Sequence, residues 1–220
     1  MSTIFLDRDG VINENRSDYV KSWREFRFLP DVHEAIARLT LVGHRIVVCT
    51  NQAGVARGSI SRAVVEDIHR RMLVNIAEYG GHIERVYYCP HGKEENCVCR
   101  KPRPGLLLQA RDELGIDLND AVFVGDSITD VRAGLAAGVR TMLVLTGLGA
   151  EQLRDHYHEA NGPFLIAMSL KHAVDAILQG LHDSNDMYMR TQRSYSIFHS
   201  ATYINASQAT RHQMALLTEV

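Results

Sequence analysis

Residues 4–11 read Ile4-Phe5-Leu6-Asp7-Arg8-Asp9-Gly10-Val11. A short run with no polar residue inside it predicts a strand buried on both faces. The run stops at two aspartates set two residues apart, and a glycine follows. In extended backbone Asp7 and Asp9 point to the same side, while Gly10 lets the chain turn sharply away. Carboxylates so placed can serve as a nucleophile and a general acid–base group. Asp-x-Asp-Gly is also common in solvated turns, so the choice depends on what else the chain brings to this place.

The same rhythm continues outward. Residues 45–50, 84–89, 121–124 and 141–145 are further strand candidates. Between them, residues 32–41, 61–79, 106–114 and 129–137 have helical spacing, with Val65, Ile68, Met72 and Ile76 lining one face. Strands alternating with helices predict an α/β fold, a Rossmann-like three-layer α/β/α arrangement around a parallel sheet. Residues 90–105, broken by Pro90, Gly92, Pro102, Pro104 and Gly105, form a loop. The intervals are too short for a large inserted cap domain. After Gly149 the pattern weakens, and a last helix is expected over 170–181. The expected organisation is one domain over 1–182 and a C-terminal tail of unknown role over 183–220.

A formal net charge of −2 over 220 residues gives no basic field for nucleic acid or an anionic membrane. No apolar run reaches the roughly 20 residues that a membrane helix needs. The chain passes from Met1-Ser2-Thr3 directly into its first strand, without the basic lead of a secretory signal, so cytoplasm is the expected location. Of the four cysteines, Cys89, Cys97 and Cys99 fall within eleven residues, and Cys49 lies in an apolar run. In a reducing compartment such clustering argues for metal rather than disulfides.

Ligands of an open parallel sheet bind beyond the carboxyl ends of the strands. Four polar clusters fall there or in the loops beyond: Asp7/Asp9, Thr50/Asn51, Arg100/Lys101 and Asp126/Asp130. Thr50 and Asn51 offer donors to phosphate oxygens. Lys101 offers a fixed positive charge, without which a phosphate dianion and two ionised aspartates would repel. Asp126 and Asp130 can complete a hard-oxygen site for Mg²⁺, although a helix start capped by Asp126 or Ser127 fits the same residues. Cys89-Pro90-His91 and Cys97-Val98-Cys99 supply three thiolates and an imidazole, the set for a closed, structural Cys₃His zinc site.

In order along the chain, Phe5-Leu6-Asp7-Arg8-Asp9-Gly10-Val11, Cys49-Thr50-Asn51, Lys101 and Gly125-Asp126-Ser127-Ile128-Thr129-Asp130 resemble the four motifs of the haloacid dehalogenase superfamily of phosphatases, over about residues 3–147. The resemblance implies catalysis by Asp7, Asp9 and Lys101 through a phosphorylated Asp7. It also implies catalytic Mg²⁺ held by the Asp7 side chain, the Asp9 carbonyl and Asp126. Cys-Pro-His followed by Cys-x-Cys-Arg-Lys-Pro is similar to the branch that holds heptose-1,7-bisphosphate 7-phosphatases and histidinol-phosphate phosphatases. Asn51-Gln52-Ala53-Gly54-Val55-Ala56-Arg57-Gly58 and Arg100-Lys101-Pro102-Arg103-Pro104-Gly105 point to the heptose side. The short interval from His91 to Cys97 is closer to the histidinol type. By this resemblance Asn51, Arg57, Arg100 and Lys101 contact the substrate, a small phosphorylated sugar, and Thr50 is expected to bind it with them. The expected state is a monomer. Histidinol phosphate is the alternative substrate. A non-catalytic binding protein on the same fold is the alternative from another class, but it gives no reason for a nucleophile beside a proton donor.

Overall fold

The apolar run of residues 4–6 becomes a central strand. A computed structural model describes residues 2–180, and in it six parallel strands form one sheet in the order β3-β2-β1-β4-β5-β6. These are β1 (Thr3–Leu6), β2 (Arg45–Asn51), β3 (Arg85–Cys89), β4 (Val122–Gly125), β5 (Arg140–Val144) and β6 (Leu165–Ala167). The helices are α1 (Val32–Leu41), α2 (Arg62–Glu78), α3 (Gly105–Leu114), α4 (Ile128–Ala136), α5 (Gly149–His156) and α6 (Leu170–Leu178).

Alternation along the strands divides the core between the two faces. Ile4, Leu6, Ile46, Val48, Val122 and Val124 pack with apolar residues of α1, α2 and α6. Phe5, Val47, Cys49 and Phe123 pack with α3 and α4. All four residues of β1 are buried, so both faces must be covered, as expected for a three-layer fold. Each large apolar side chain withdrawn from water in this way contributes roughly 1.5–3 kcal/mol.

Two elements were not legible in the sequence. β6 is three residues long, too short to show a period. α5 has Leu153 as its one large apolar residue, so no stripe marks it as a helix. The helix at Val32 begins where expected, but Asp31 takes a left-handed conformation and its side chain makes no cap bond. No inserted cap domain interrupts the described residues. The tail assigned to 183–220 lies outside them. No helix among them is long and apolar enough to cross a membrane.

Strand order fixes where chemistry can occur. From β1 the sheet grows through β2 to β3, and from β4 it grows the other way. At this reversal the loops leaving β1 and β4 diverge and open a crevice. Leu6 is level with Val48 and with Val124, which brings Asp7, Cys49 and Gly125 to the same height.

Candidate active site

One pocket occupies this crevice. Its walls include Asp7, Asp9, Thr50, Asn51, Gln52, Lys101, Asp126 and Asp130, with Asn15, Arg16 and Tyr19 from the loop after β1. Lys101 stands at its base, 2% exposed, with Nζ 3.0 Å from Asp7 Oδ1 and 2.7 Å from Asp130 Oδ1. The ammonium also donates to the Cys49 carbonyl at 2.8 Å. Burial alone would favour the neutral amine, but Asp130 and Asp7 outweigh it and hold Lys101 charged. The lysine backbone is clamped by Asn51, whose Oδ1 accepts from Lys101 N at 3.1 Å and whose Nδ2 donates to Lys101 O at 3.2 Å.

Asp126 is wedged between two glycines. A Cβ on Gly10, whose φ is +80°, would lie 1.8 Å from Asp126 Oδ2, and one on Gly147 would lie 2.2 Å from it. The carboxylate accepts from Leu148 N at 2.8 Å, and Thr146 Oγ1 donates to the Gly10 carbonyl at 2.6 Å. The loop after β5 is thereby tied to the loop after β1. Ser127 and Asp130 form a capping box at the start of α4, so the helix-cap alternative holds for Ser127 while Asp126 is left to the pocket.

Charge decides what else this pocket can hold. Asp7, Asp126 and Asp130 place carboxylate oxygens within 4.8 Å of one another, with Lys101 as the opposing charge beside them. Burial, and then the neighbouring carboxylates, push Asp126 well above the usual carboxylate range. Burial pushes Asp130 up to about 6, against the pull of Lys101. Three buried carboxylates thus share one ammonium, and Asp126 and Asp130 hold protons more tightly in the absence of a further positive charge. Oxygen donors in this number suit a hard divalent cation such as Mg²⁺.

Asp9 faces a separate set of donors. Arg8 Nη2 binds its two oxygens at 2.9 and 2.8 Å, Asn13 Nδ2 donates at 2.8 Å and Gln52 Nε2 at 2.8 Å. Burial raises the proton affinity of Asp9, but the Arg8 charge and these hydrogen bonds overcome it and hold the carboxyl below its ordinary range. Gln52 also donates to Thr50 Oγ1 at 3.1 Å, so the threonine proton is left for a ligand.

The second cluster stands at the end of β3. Cys89 Sγ lies 3.6 Å from Cys97 Sγ and 3.5 Å from His91 Nδ1. Cys99 Sγ lies 3.5 Å from Cys97 Sγ and 3.3 Å from His91 Nδ1. A tetrahedral ion with metal–sulfur bonds of about 2.3 Å sets its ligands about 3.8 Å apart, and closer where nitrogen replaces sulfur. Donor set and spacing both fit zinc. Cys99 is followed directly by Arg100 and Lys101, so this loop carries the pocket's ammonium.

The comparisons agree with this geometry. A family model described as HAD-hydrolase-like matches residues 98–173. The D-glycero-beta-D-manno-heptose-1,7-bisphosphate 7-phosphatase of Pseudomonas aeruginosa is 43% identical over 178 residues, which are 81% of this chain and 98% of that protein. The Escherichia coli protein of the same name is 43% identical over 152 residues, 66% of this chain and 79% of that one. The crystal structure of D,D-heptose 1,7-bisphosphate phosphatase from B. bronchiseptica, complexed with magnesium and phosphate, is 37% identical and superposes with a TM-score of 0.76, covering 82% of this chain and 99% of that chain. The chain belongs to the heptose-bisphosphate phosphatase family of HAD-like hydrolases.

Of the residues singled out in the sequence of this family member, Asp7, Asp9, Thr50, Asn51, Lys101 and Asp126 meet in the pocket. Cys89, His91, Cys97 and Cys99 meet in the second cluster. Arg57 and Arg100 are not in the pocket walls. Arg57 is exposed, its guanidinium 5.8 Å from the centroid of the Tyr19 ring, and Arg100 turns back to donate to the His91 carbonyl at 3.1 Å. Sequence analysis overlooked Arg8, Asn13, Gln52 and the loop at 146–148. Nothing in the spacing of Arg8 betrays a residue 0% exposed. The loop at 146–148 follows a strand's carboxyl end, which was the available signal.

Proposed function

We propose that this chain removes the 7-phosphate of D-glycero-beta-D-manno-heptose 1,7-bisphosphate through a phosphorylated Asp7. The observation that carries the proposal is the buried cluster in which Lys101 joins Asp7 and Asp130 beside Asp126. It occurs on a chain that spans 98% of a relative named for this reaction, and the relatives' names favour the heptose over histidinol phosphate.

Asp7 acts as nucleophile. Its carboxylate attacks phosphorus opposite the C7 oxygen, the bond from phosphorus to that oxygen breaks, and Asp9 gives the leaving oxygen a proton. Water then attacks the phosphorus on Asp7 and gives a proton back to Asp9, releasing inorganic phosphate. At rest Asp9 is held ionised by Arg8, Asn13 and Gln52. An arriving phosphate dianion raises its proton affinity, so that Asp9 takes up from solvent the proton it then gives to the leaving oxygen. Lys101 balances charge on Asp7 and on the transferring group. Thr50 and Asn51 bind phosphate oxygens, while Arg57 and Arg100, which lie outside the pocket walls here, turn toward the rest of the sugar bisphosphate when it binds. Mg²⁺, held by the Asp7 side chain, the Asp9 carbonyl and Asp126, supplies charge neutralisation at the phosphate when bound.

Zinc on Cys89, His91, Cys97 and Cys99 is structural, because four protein ligands leave no position open for substrate. We further infer a cytoplasmic monomer that needs neither nucleic acid nor membrane. Cysteines unpaired by disulfides suit a reducing compartment, and one chain carries every group the reaction uses.

The test is phosphate release with Mg²⁺ from both anomers of heptose 1,7-bisphosphate, histidinol phosphate and a 3′-phosphorylated oligonucleotide, with Asp7→Asn alongside. Release from the beta anomer, absent in the variant, is the expected result. A preference for histidinol phosphate would keep the mechanism and overturn the substrate.

A further inference from the structure

Arg8 steadies Asp9, and Arg8 is itself steadied by a histidine from a different element. Two of its nitrogens are engaged: Nη2 binds both oxygens of Asp9, and Nη1 lies 3.0 Å from His69 Nε2. Its Nε has no protein acceptor among the described residues, and the Phe26 ring centroid stands 5.9 Å from Cζ. His69 comes from the middle of α2, is 6% exposed, and meets the Tyr88 ring edge-on at 5.5 Å.

The chemistry of this contact has one form. A guanidinium has no acceptor, so Arg8 donates, and His69 accepts through an unprotonated Nε2. The neutral ring then carries its proton on Nδ1. Burial, together with the charge of Arg8, pulls His69 down to about 3, so the ring stays an acceptor at any working pH. A histidine that merely filled the core would have no need to aim its one basic nitrogen at a buried cation. An apolar side chain would fill the space without desolvating a polar ring. With both ends held, the plane of the guanidinium is fixed. Both oxygens of Asp9 accept from the one nitrogen Nη2, so the carboxylate follows the direction in which that fixed nitrogen points.

We propose that His69 is a positioning residue for proton transfer, acting through Arg8 to fix the Asp9 carboxylate toward the leaving oxygen and the attacking water. The inference rests on Asp9 being the acid–base group, as proposed above.

The test compares two substrates. Heptose 1,7-bisphosphate has an alkoxide leaving group that needs a proton, whereas dinitrophenyl phosphate leaves as a phenolate that needs none. His69→Phe keeps a ring against Tyr88 but cannot accept, and kcat on the sugar bisphosphate should fall about 30-fold with KM within about twofold. The pre-steady-state burst of dinitrophenolate should stay within about threefold of wild type, since that step needs Asp7 but no acid. The double variant His69→Phe/Arg8→Met should be no slower than Arg8→Met alone, because the two residues act as one unit. His69→Gln, which retains an acceptor, should return kcat to within about threefold of wild type. Equal losses on both substrates, additive losses in the double variant, or a folded His69→Gln as slow as Arg8→Met would each overturn the proposal. The last comparison stands even if His69→Phe does not fold. Asp9→Asn separates the two levels. If that variant keeps its activity, the assignment of Asp9 fails and this inference with it. If it is inactive while His69→Phe is unimpaired, the inference alone fails.

Discussion

The pocket and the cysteine loop both gather groups that call for a cation, but they are assembled in opposite ways. The loop draws its four ligands from eleven consecutive residues, and two of its arginines donate to its own carbonyls, Arg100 to His91 and Arg103 to Asn96 and Cys97. The pocket draws Asp7, Lys101, Asp126 and Asp130 from three segments that meet because the strand order reverses between β1 and β4. A local cluster depends on its metal and little else. A distributed one depends on the sheet, and its geometry is inherited from buried strands. Lys101 belongs to both, two residues after a cysteine of the loop and in ion pairs with two aspartates of the pocket.

The sharpest separation comes from Asp7→Asn. It removes the nucleophile while leaving a side chain of the same size, so kcat should fall on the order of 10⁴-fold or more. Zinc content and Tm should change little. Phosphate release and trapped phosphoenzyme measure the first, and elemental analysis with thermal melting the second. A variant that lost its zinc as well would mean that the two regions are not independent in this direction.

In the other direction they are expected to be coupled. Cys97→Ser breaks the closed ligand set, and the unfilled loop no longer fixes Lys101. Loss of zinc by elemental analysis should accompany a stability loss of about 3 kcal/mol, or about 6–12 °C in Tm. Activity should fall with zinc occupancy. Full activity in a zinc-free protein would show that Asn51 alone holds Lys101 in place.

Gly10→Ala attacks the pocket through its backbone. The new Cβ would meet Asp126 Oδ2 at 1.8 Å on a residue with φ of +80°, so Asp126 or the turn must move. A fall in kcat of about 100-fold is expected, with zinc retained, since a shift of about 1 Å in a positioned group carries a cost of that order. Steady-state kinetics beside metal analysis would show it.

These expectations also show what the sequence made legible. The loop's ligands could be named from spacing alone, because a metal site made of neighbours leaves its pattern in the chain. Asp7, Asp9 and Asp126 were legible because each follows a strand end, and Lys101 because it lies in the loop beyond one. Their mutual distances were not, since those depend on strand order. Arg8 and Gln52 escaped for a further reason: what matters about them is the direction of a buried side chain, and two residues of loop do not encode it. β6 and α5 escaped because elements so short or so polar have no period to read.

A smaller effect comes from pH. In protein freed of Mg²⁺, Asp130 is pushed from the ordinary 3.8 up to about 6. Between those values the folded chain binds a proton that the unfolded chain has released. Stability from the protonated form is therefore complete below about pH 4 and is lost as pH rises through about 6. Asp130→Asn lacks this titration, so its Tm should gain on wild type by roughly a few degrees from pH 4 to pH 7. Added Mg²⁺ should shrink the gain by favouring the ionised carboxylate. A difference in Tm that stays flat with pH would remove the charge argument for a cation in the pocket.

The smallest effect tests whether metal, and not hydrogen bonding, holds the loop. Arg103 donates to the carbonyls of Asn96 and Cys97, but it does so in the exposed part of the loop. Hydrogen bonds there compete with water, and losing them costs about 0.5–1 kcal/mol. Arg103→Ala should therefore keep its zinc, lower Tm by roughly 1–4 °C and leave kcat within about twofold, because Lys101 remains clamped by Asn51. Zinc release to a competing chelator is the decisive measurement. If Arg103→Ala lost zinc as readily as Cys97→Ser, the loop would depend on its hydrogen bonds as the pocket depends on the sheet, and the contrast between the two regions would disappear.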